Sequence, residues 1–197
     1  MRRIVYLLLL PGCARTVRDD LADLRAERSR LEERLRVSEH SPIWVSEGDH
    51  AFERFLRDDD SEIPSFIYDH VLRKLAAQGD SAIRAATREG FDPAACLASP
   101  ASFRGAFWRV SGMISRFWIQ KIADPDCPAS QVYAGVFYPD YGDPVFFHLL
   151  EKPDILELGA DTVEIDGLFL KVVTFRSPGG RVLTAPFFMA KTLRRLM

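Results

Sequence analysis

The chain has 197 residues, 47% of them hydrophobic and 27% charged, a balance that suits a globular fold and excludes a wholly disordered one. Its formal net charge of −2 leaves no whole-molecule field to draw in nucleic acid. Three cysteines with no C-x-x-C pair exclude a disulfide scaffold and argue against structural zinc, and no apolar run nears the roughly 18 residues that span a bilayer.

The N-terminus has the layout of a secretory signal: Arg2 and Arg3, an apolar stretch over residues 4–10, then Leu10-Pro11-Gly12-Cys13. A basic start, an apolar core and a small residue before the cut are what export requires. The last four residues resemble the bacterial lipobox, Leu-x-Gly-Cys, whose cysteine is acylated and becomes the mature N-terminus. The resemblance implies a lipoprotein signal over residues 1–13 with lipidation at Cys13. The membrane would then be a partner through the N-terminal lipid, and the chain would face the periplasm in the cell envelope. Ala14 is not the aspartate that hints at inner-membrane retention, which favours the outer membrane. The alternative is a buried N-terminal strand in a cytoplasmic protein. In an oxidising compartment Cys96 and Cys127 could bridge, closing a loop of about thirty residues for about 3–4 kcal/mol. Two free thiols are the other outcome.

Residues 14–41 predict a charged amphipathic helix of coiled-coil type. Val17, Leu21, Leu24, Arg28, Leu31 and Leu35 alternate spacings of four and three, as an a/d seam does, and Ser41-Pro42 ends it. Residues 17–36 could pair in a homo-oligomer. In a parallel pair, however, Asp20 would meet Arg25 while Glu27 would meet Glu32, so the charges demand no dimer. A solvated stalk, or a helix packed on its own protein, fits as well.

Residues 42–99 predict a small helical section. A short amphipathic helix over 51–56 is broken at Asp58-Asp59-Asp60-Ser61. Pro64 opens the next helix, with Phe66, Ile67, Val71, Leu72 and Leu75 as its apolar stripe. Asp80-Ser81 caps a third carrying Ile83 and Ala86, and residues 91–97 make a loop or half-turn.

From about Phe103 aromatic and β-branched residues alternate with turn residues, the mark of strands. Strands are expected over residues 104–119, 131–138, 145–150, 162–175 and 181–193. In the first, Trp108, Val110 and Ile114 share one face and Phe107, Arg109, Met113 and Phe117 the other. Gly112 and Gly167 mark bends that let one strand serve two sides of a small barrel. Five strands with a connector between the third and fourth is the order of an OB barrel. The expected fold is therefore α+β: an N-terminal helical region, then a five-stranded OB-like β-barrel over residues 100–197.

This stretch also resembles a family of bacterial proteins known mainly from planctomycete genomes. Phe103-Arg104-Gly105, Val110-Ser111-Gly112 and Gly135-Val136-Phe137 carry the resemblance. So do Val163-Glu164-Ile165-Asp166-Gly167-Leu168-Phe169-Leu170-Lys171 and Ala185-Pro186-Phe187-Phe188-Met189-Ala190-Lys191. It implies an OB-like module in an envelope setting and transfers no catalytic residue.

No nucleophile elbow, phosphate loop or His-Glu-x-x-His motif is present. His40, His50, His70 and His148 lack metal-ligand spacing, and Asp58-Asp59-Asp60 reads as a solvated turn without the glycine and distal glutamate of a calcium loop. No catalytic residue, metal or cofactor is therefore expected. OB barrels bind ligands on the face of strands two and three and at adjoining loops. Stacking aromatics beside cations would suit that task, which singles out Arg109, Arg116, Trp118, Tyr138, Tyr141 and Lys171. Core packing is the competing role for the aromatics. Residues 102–197 hold eleven Lys/Arg against ten Asp/Glu, so negligible affinity for single-stranded oligonucleotides is expected. The reading is a non-enzymatic envelope lipoprotein whose barrel binds an unknown protein, glycan or small ligand; the alternative is an intracellular OB-type nucleic-acid-binding protein.

Overall fold

The computed structural model describes residue 29 and residues 55–58, 62–123, 127–139, 142–176, 180 and 182–196. The lipobox at Cys13 lies outside these residues, as does the heptad seam over 17–36 apart from Ser29, which is helical. Among the described residues after Ser29, three α-helices, α1 (Ser65–Ala77), α2 (Asp80–Ala86) and α3 (Pro93–Ala98), lead into six strands. These are β1 (Phe107–Lys121), β2 (Gln131–Tyr138), β3 (Val145–Leu149), β4 (Thr162–Arg176), β5 (Val182–Ala190) and β6 (Arg194–Leu196). The chain is thus α+β, with helices first and strands after.

Two of the three helices start where the sequence supplies a start. The Pro64 carbonyl accepts hydrogen bonds from the Ile67 and Tyr68 N–H groups, and α1 then buries Ile67, Val71, Leu72 and Leu75 on one stripe. Residues 91–97, expected as a loop or half-turn, instead hold most of α3. Asp92 Oδ1 accepts from the Ala94 and Ala95 N–H groups at 2.9 and 3.2 Å, and Pro93 sits where a missing N–H costs nothing. Asp80 does not cap α2. It lies inside the first turn, and its carboxylate meets Lys191 Nζ at 2.9 Å.

The strands close on themselves. Their order is β1-β2-β3-β5-β4, and β4 returns to β1. Neighbours are antiparallel except β3 and β5, which run parallel. β1 serves two partners: Phe107–Met113 pairs with β4, and Met113–Lys121 with β2. Gly112 stands at the changeover, where a Cβ would lie 2.4 Å from the Tyr138 carbonyl oxygen. The glycine admits another backbone there. The stretch expected as one strand over 181–193 ends at Ala190, and Arg194–Leu196 forms a sixth strand on the start of β4. The connector over 150–161 carries no helix.

Two apolar clusters fill the molecule. The inner one draws on all five ring strands, through Val110, Ile114, Phe137, Phe147, Val163, Ile165, Phe169 and Phe188 among others, with Cys96 of α3. The outer one packs Ile67, Val71, Leu72 and Leu75 of α1 against Phe107, Leu168, Leu170, Phe187 and Met189. Of the six residues expected in the core, Val110, Ile114, Val163, Ile165 and Phe169 are buried. Trp108 is half-buried among Phe91 and Phe103, its indole N–H donating to the Phe103 carbonyl at 3.2 Å.

Two β-bulges break strict alternation. One lies between Ile114 and Arg116. Phe117, which alternation places opposite Val110, packs instead against the same inner cluster, stacked on Tyr133. The other lies between Phe169 and Lys171. There the displaced Leu170 carbonyl accepts from Arg104 Nε at 2.8 Å, and the Val172 N–H donates to Asp58 Oδ1 at 2.8 Å. Asp58 also takes the Arg104 guanidinium at 2.6 Å. Of the acidic run expected as a solvated turn, Asp58 is a turn residue that also clamps the ring, and Asp59 and Asp60 lie outside the described residues.

Candidate ligand groove

The first bulge decides what the outer face of the ring presents. Without it, Arg116 and Trp118 would continue the inward row of Val110 and Ile114; the extra residue turns both outward. On β2 the same face carries Val136, opposite Arg116, and Tyr138. Phe146 of β3 pairs with Val136. The β4–β5 hairpin then brings Phe175, Arg176 and Leu183 across from them. These residues and Ser115 line a groove of about 360 Å³. Its floor includes Phe146 and Phe175, whose rings meet edge to face at 4.3 Å. Trp118 and Tyr138 stand 40% and 38% exposed, large aromatic surfaces that a folded chain would ordinarily cover.

Among the described residues no carboxylate lines the groove. Among the described residues, Arg104, Arg109, Arg194 and Arg195 are each tied to carboxylates, whereas neither Arg116 nor Arg176 forms an ion pair or a hydrogen bond.

Three of the six residues singled out from sequence, Arg116, Trp118 and Tyr138, thus meet in one groove. Arg109 and Lys171 do not join them, and Tyr141 lies outside the described residues. Arg109 donates to Asp166 Oδ1 at 2.8 Å and pairs with Glu89. Lys171 is fully buried and donates through Nζ to the Glu62 carbonyl at 2.9 Å. Phe146, Phe175, Arg176 and Leu183 were not legible as groove residues. The proximity of the β4–β5 hairpin to β2 and β3 comes from ring closure, which leaves no local signal.

Cys96 and Cys127 are both free. Cys96 lies in the inner cluster and Cys127 against the outer one, so the bridge considered from sequence is not formed. Burial pushes the Cys96 thiol up to about 12 and the Cys127 thiol up to about 11, which keeps both protonated and unreactive at neutral pH.

A second, smaller hollow of about 150 Å³ lies near Asp80, Glu164, Asp166, Lys191 and Arg194. Apart from Arg84, its charges are spent on one another or on neighbours. Arg194 donates to Asp166 Oδ2 at 2.8 Å and to Glu164 Oε1 at 2.7 Å, and Arg195 meets Asp161 at 2.7 Å. Burial works to raise the Asp166 carboxyl, but hydrogen bonds from Arg109 and Arg194 outweigh it and hold the group below its ordinary value. The network ties β6 and β1 to β4. On β3, His148 Nδ1 lies 2.6 Å from the Tyr68 hydroxyl, and burial lowers the imidazole to about 4. Burial likewise pushes the Tyr68 hydroxyl up, so the phenol donates and the neutral ring accepts, pinning α1 to the sheet.

Among the described residues no cluster of three His, Cys, Asp or Glu could hold a metal ion, and no helix is long and apolar enough to cross a membrane. No family model and no curated protein matches the chain.

Proposed function

We propose that this chain is a non-enzymatic binding protein, that its ring of strands is an OB-type barrel, and that the ligand seats in the groove of Arg116, Trp118, Val136, Tyr138, Phe146, Phe175 and Arg176. The strand order, with β3 parallel to β5 and β4 returning to β1, supports the OB reading. The groove lies on β2 and β3, beside the turn between β4 and β5, where OB barrels take their ligands. The observation that carries the function is the convergence of exposed Trp118 and Tyr138 with two arginines that form no ion pair among the described residues, over an apolar floor. A few polar groups above an apolar base is the usual build of a ligand site. The lipobox supplies the address: an envelope lipoprotein of the planctomycete-type family, held by lipid at Cys13 and facing the periplasm. Incorporation of labelled palmitate, lost in Cys13→Ser, tests that address.

The groove is tested with the neutral aromatic probe N-phenyl-1-naphthylamine. It should bind the full chain at one saturable site and lose that site in Trp118→Ala. Unchanged binding in the variant would reject the groove.

The intracellular nucleic-acid reading gains from the pairing of arginines with aromatics. It loses more, because Arg109 and Lys171 are committed elsewhere. A phosphate backbone needs several cations in a row, and negligible affinity for oligonucleotides at physiological salt remains the expectation.

A further inference from the structure

We infer that the groove takes a small aromatic acid, a planar ring bearing one anionic group. The inference rests on the groove being the ligand site. Arg116 and Arg176 lie on different hairpins yet line the same apolar floor. Elsewhere among the described residues Arg104 pairs with Asp58, Arg109 with Asp166 and Glu89, Arg194 with Glu164 and Asp166, and Arg195 with Asp161, while Arg57, Arg84 and Arg88 have no carboxylate partner and Arg88 lies over the Trp108 ring. At the groove Arg116 and Arg176 have no carboxylate partner among the described residues, and no described acid lines the walls. Two guanidinium groups beside an apolar, carboxylate-free surface attract an anion and can grip it with paired, charge-assisted hydrogen bonds.

The remaining wall chemistry specifies the body of the ligand. Trp118 and Tyr138 offer aromatic surface for stacking, while Phe146, Phe175, Val136 and Leu183 are apolar. A planar ring gains dispersion and edge or face contacts there. The volume of about 360 Å³ is at the small end of ligand pockets. It suits a molecule of one to three rings better than a polymer.

Two probes that differ only by a sulfonate test this on the full chain: 1-anilinonaphthalene-8-sulfonate and its neutral parent, N-phenyl-1-naphthylamine. The sulfonate should bind at one site per chain and at least about tenfold more tightly, the worth of one charge-assisted contact. Arg116→Gln and Arg176→Gln should each weaken it about tenfold and leave the neutral probe within about twofold, which also reports that the variants are folded. Equal affinity for the two probes, or equal losses for both in the arginine variants, would overturn the acid assignment. Retention of the neutral probe's dependence on Trp118 would then leave the groove itself standing. Displacement of the sulfonate at physiological salt by an oligothymidylate of about ten nucleotides, a length that fills an OB site, would overturn the small acid in favour of nucleic acid.

Discussion

Single residues carry constraints here that neither hydropathy nor propensity expresses. Gly112 is one. Its missing Cβ is the space in which the Tyr138 carbonyl sits, and an added methyl would stand 2.4 Å from that oxygen and 2.6 Å from its carbon. Both neighbours are backbone, so relief requires β1 and β2 to part. Gly112→Ala should lower stability by about 1–3 kcal/mol, as other overpacking changes do, and urea denaturation would read the loss. His148 is another. Unfolded, its imidazole gains a proton near the ordinary 6.5; folded, it does not until about 4. Between those values the unfolded chain holds more protons, so stability falls as pH is lowered through the window and levels off below it. The fall is at most about 3 kcal/mol. Urea titrations on either side of the window should show it, and His148→Gln should lack that component of the slope.

At the scale of elements, the bulges and β6 shape the surface more than the ring itself does. A single extra residue after Ile114 reverses the facing of Arg116 and Trp118, and the groove depends on that reversal. β6 is three residues long, too short to hold by backbone pairing alone. Its place on β4 depends on Arg194 against Glu164 and Asp166 and on Arg195 against Asp161. Asp166→Asn should therefore free β6 first: amide exchange at Arg194–Leu196 should speed up sharply while the ring amides keep their protection. Acid should act in the same direction. The Asp166 carboxyl is held below its ordinary 3.8, so its stabilisation is complete above that value and is lost as pH falls below it. Amide protection of β6 that is unmoved by the substitution would mean that packing, not charge, holds the strand.

Across the whole molecule, helices and ring share both apolar clusters. α1 covers Phe107, Leu168, Leu170, Phe187 and Met189, while Cys96 of α3 enters the inner cluster. Asp58 and Arg104 add a polar clamp at the bulge in β4. A fragment of residues 100–197 would expose that outer face, and we expect it to aggregate or to expose surface to hydrophobic dyes, whereas residues 55–197 should unfold in one cooperative step. Coincident melting of helix and sheet signals in the longer piece is the check. A soluble, cooperatively folding 100–197 fragment would show that the helical cover is dispensable.

Period-two runs rich in aromatic and β-branched residues located β2 at its full length and β3 to within a residue, and the Pro64 start and apolar stripe located α1. These signals survive in a bare sequence because they are local. The backbone repeat and the buried face are written within a few turns or pleats of chain. The proposed lipobox at Cys13 and the expected heptad seam over residues 17–36 are local patterns too, and rest on sequence alone. Even some local punctuation passed unnoticed, as with Asp92-Pro93 opening α3. The groove was beyond reach of such signals. Trp118, Tyr138 and Arg116 could be named by type, but their meeting with Phe146, Phe175 and Arg176 depends on β4 closing onto β1 and on one bulge reversing a face. Arg109 and Lys171, equally plausible by type, were withdrawn by partners far along the chain, Asp166 and Glu62. Alternation says which residues share a face only while the register holds. Register and partnership are set by contacts between distant strands, and only the tertiary structure decides them.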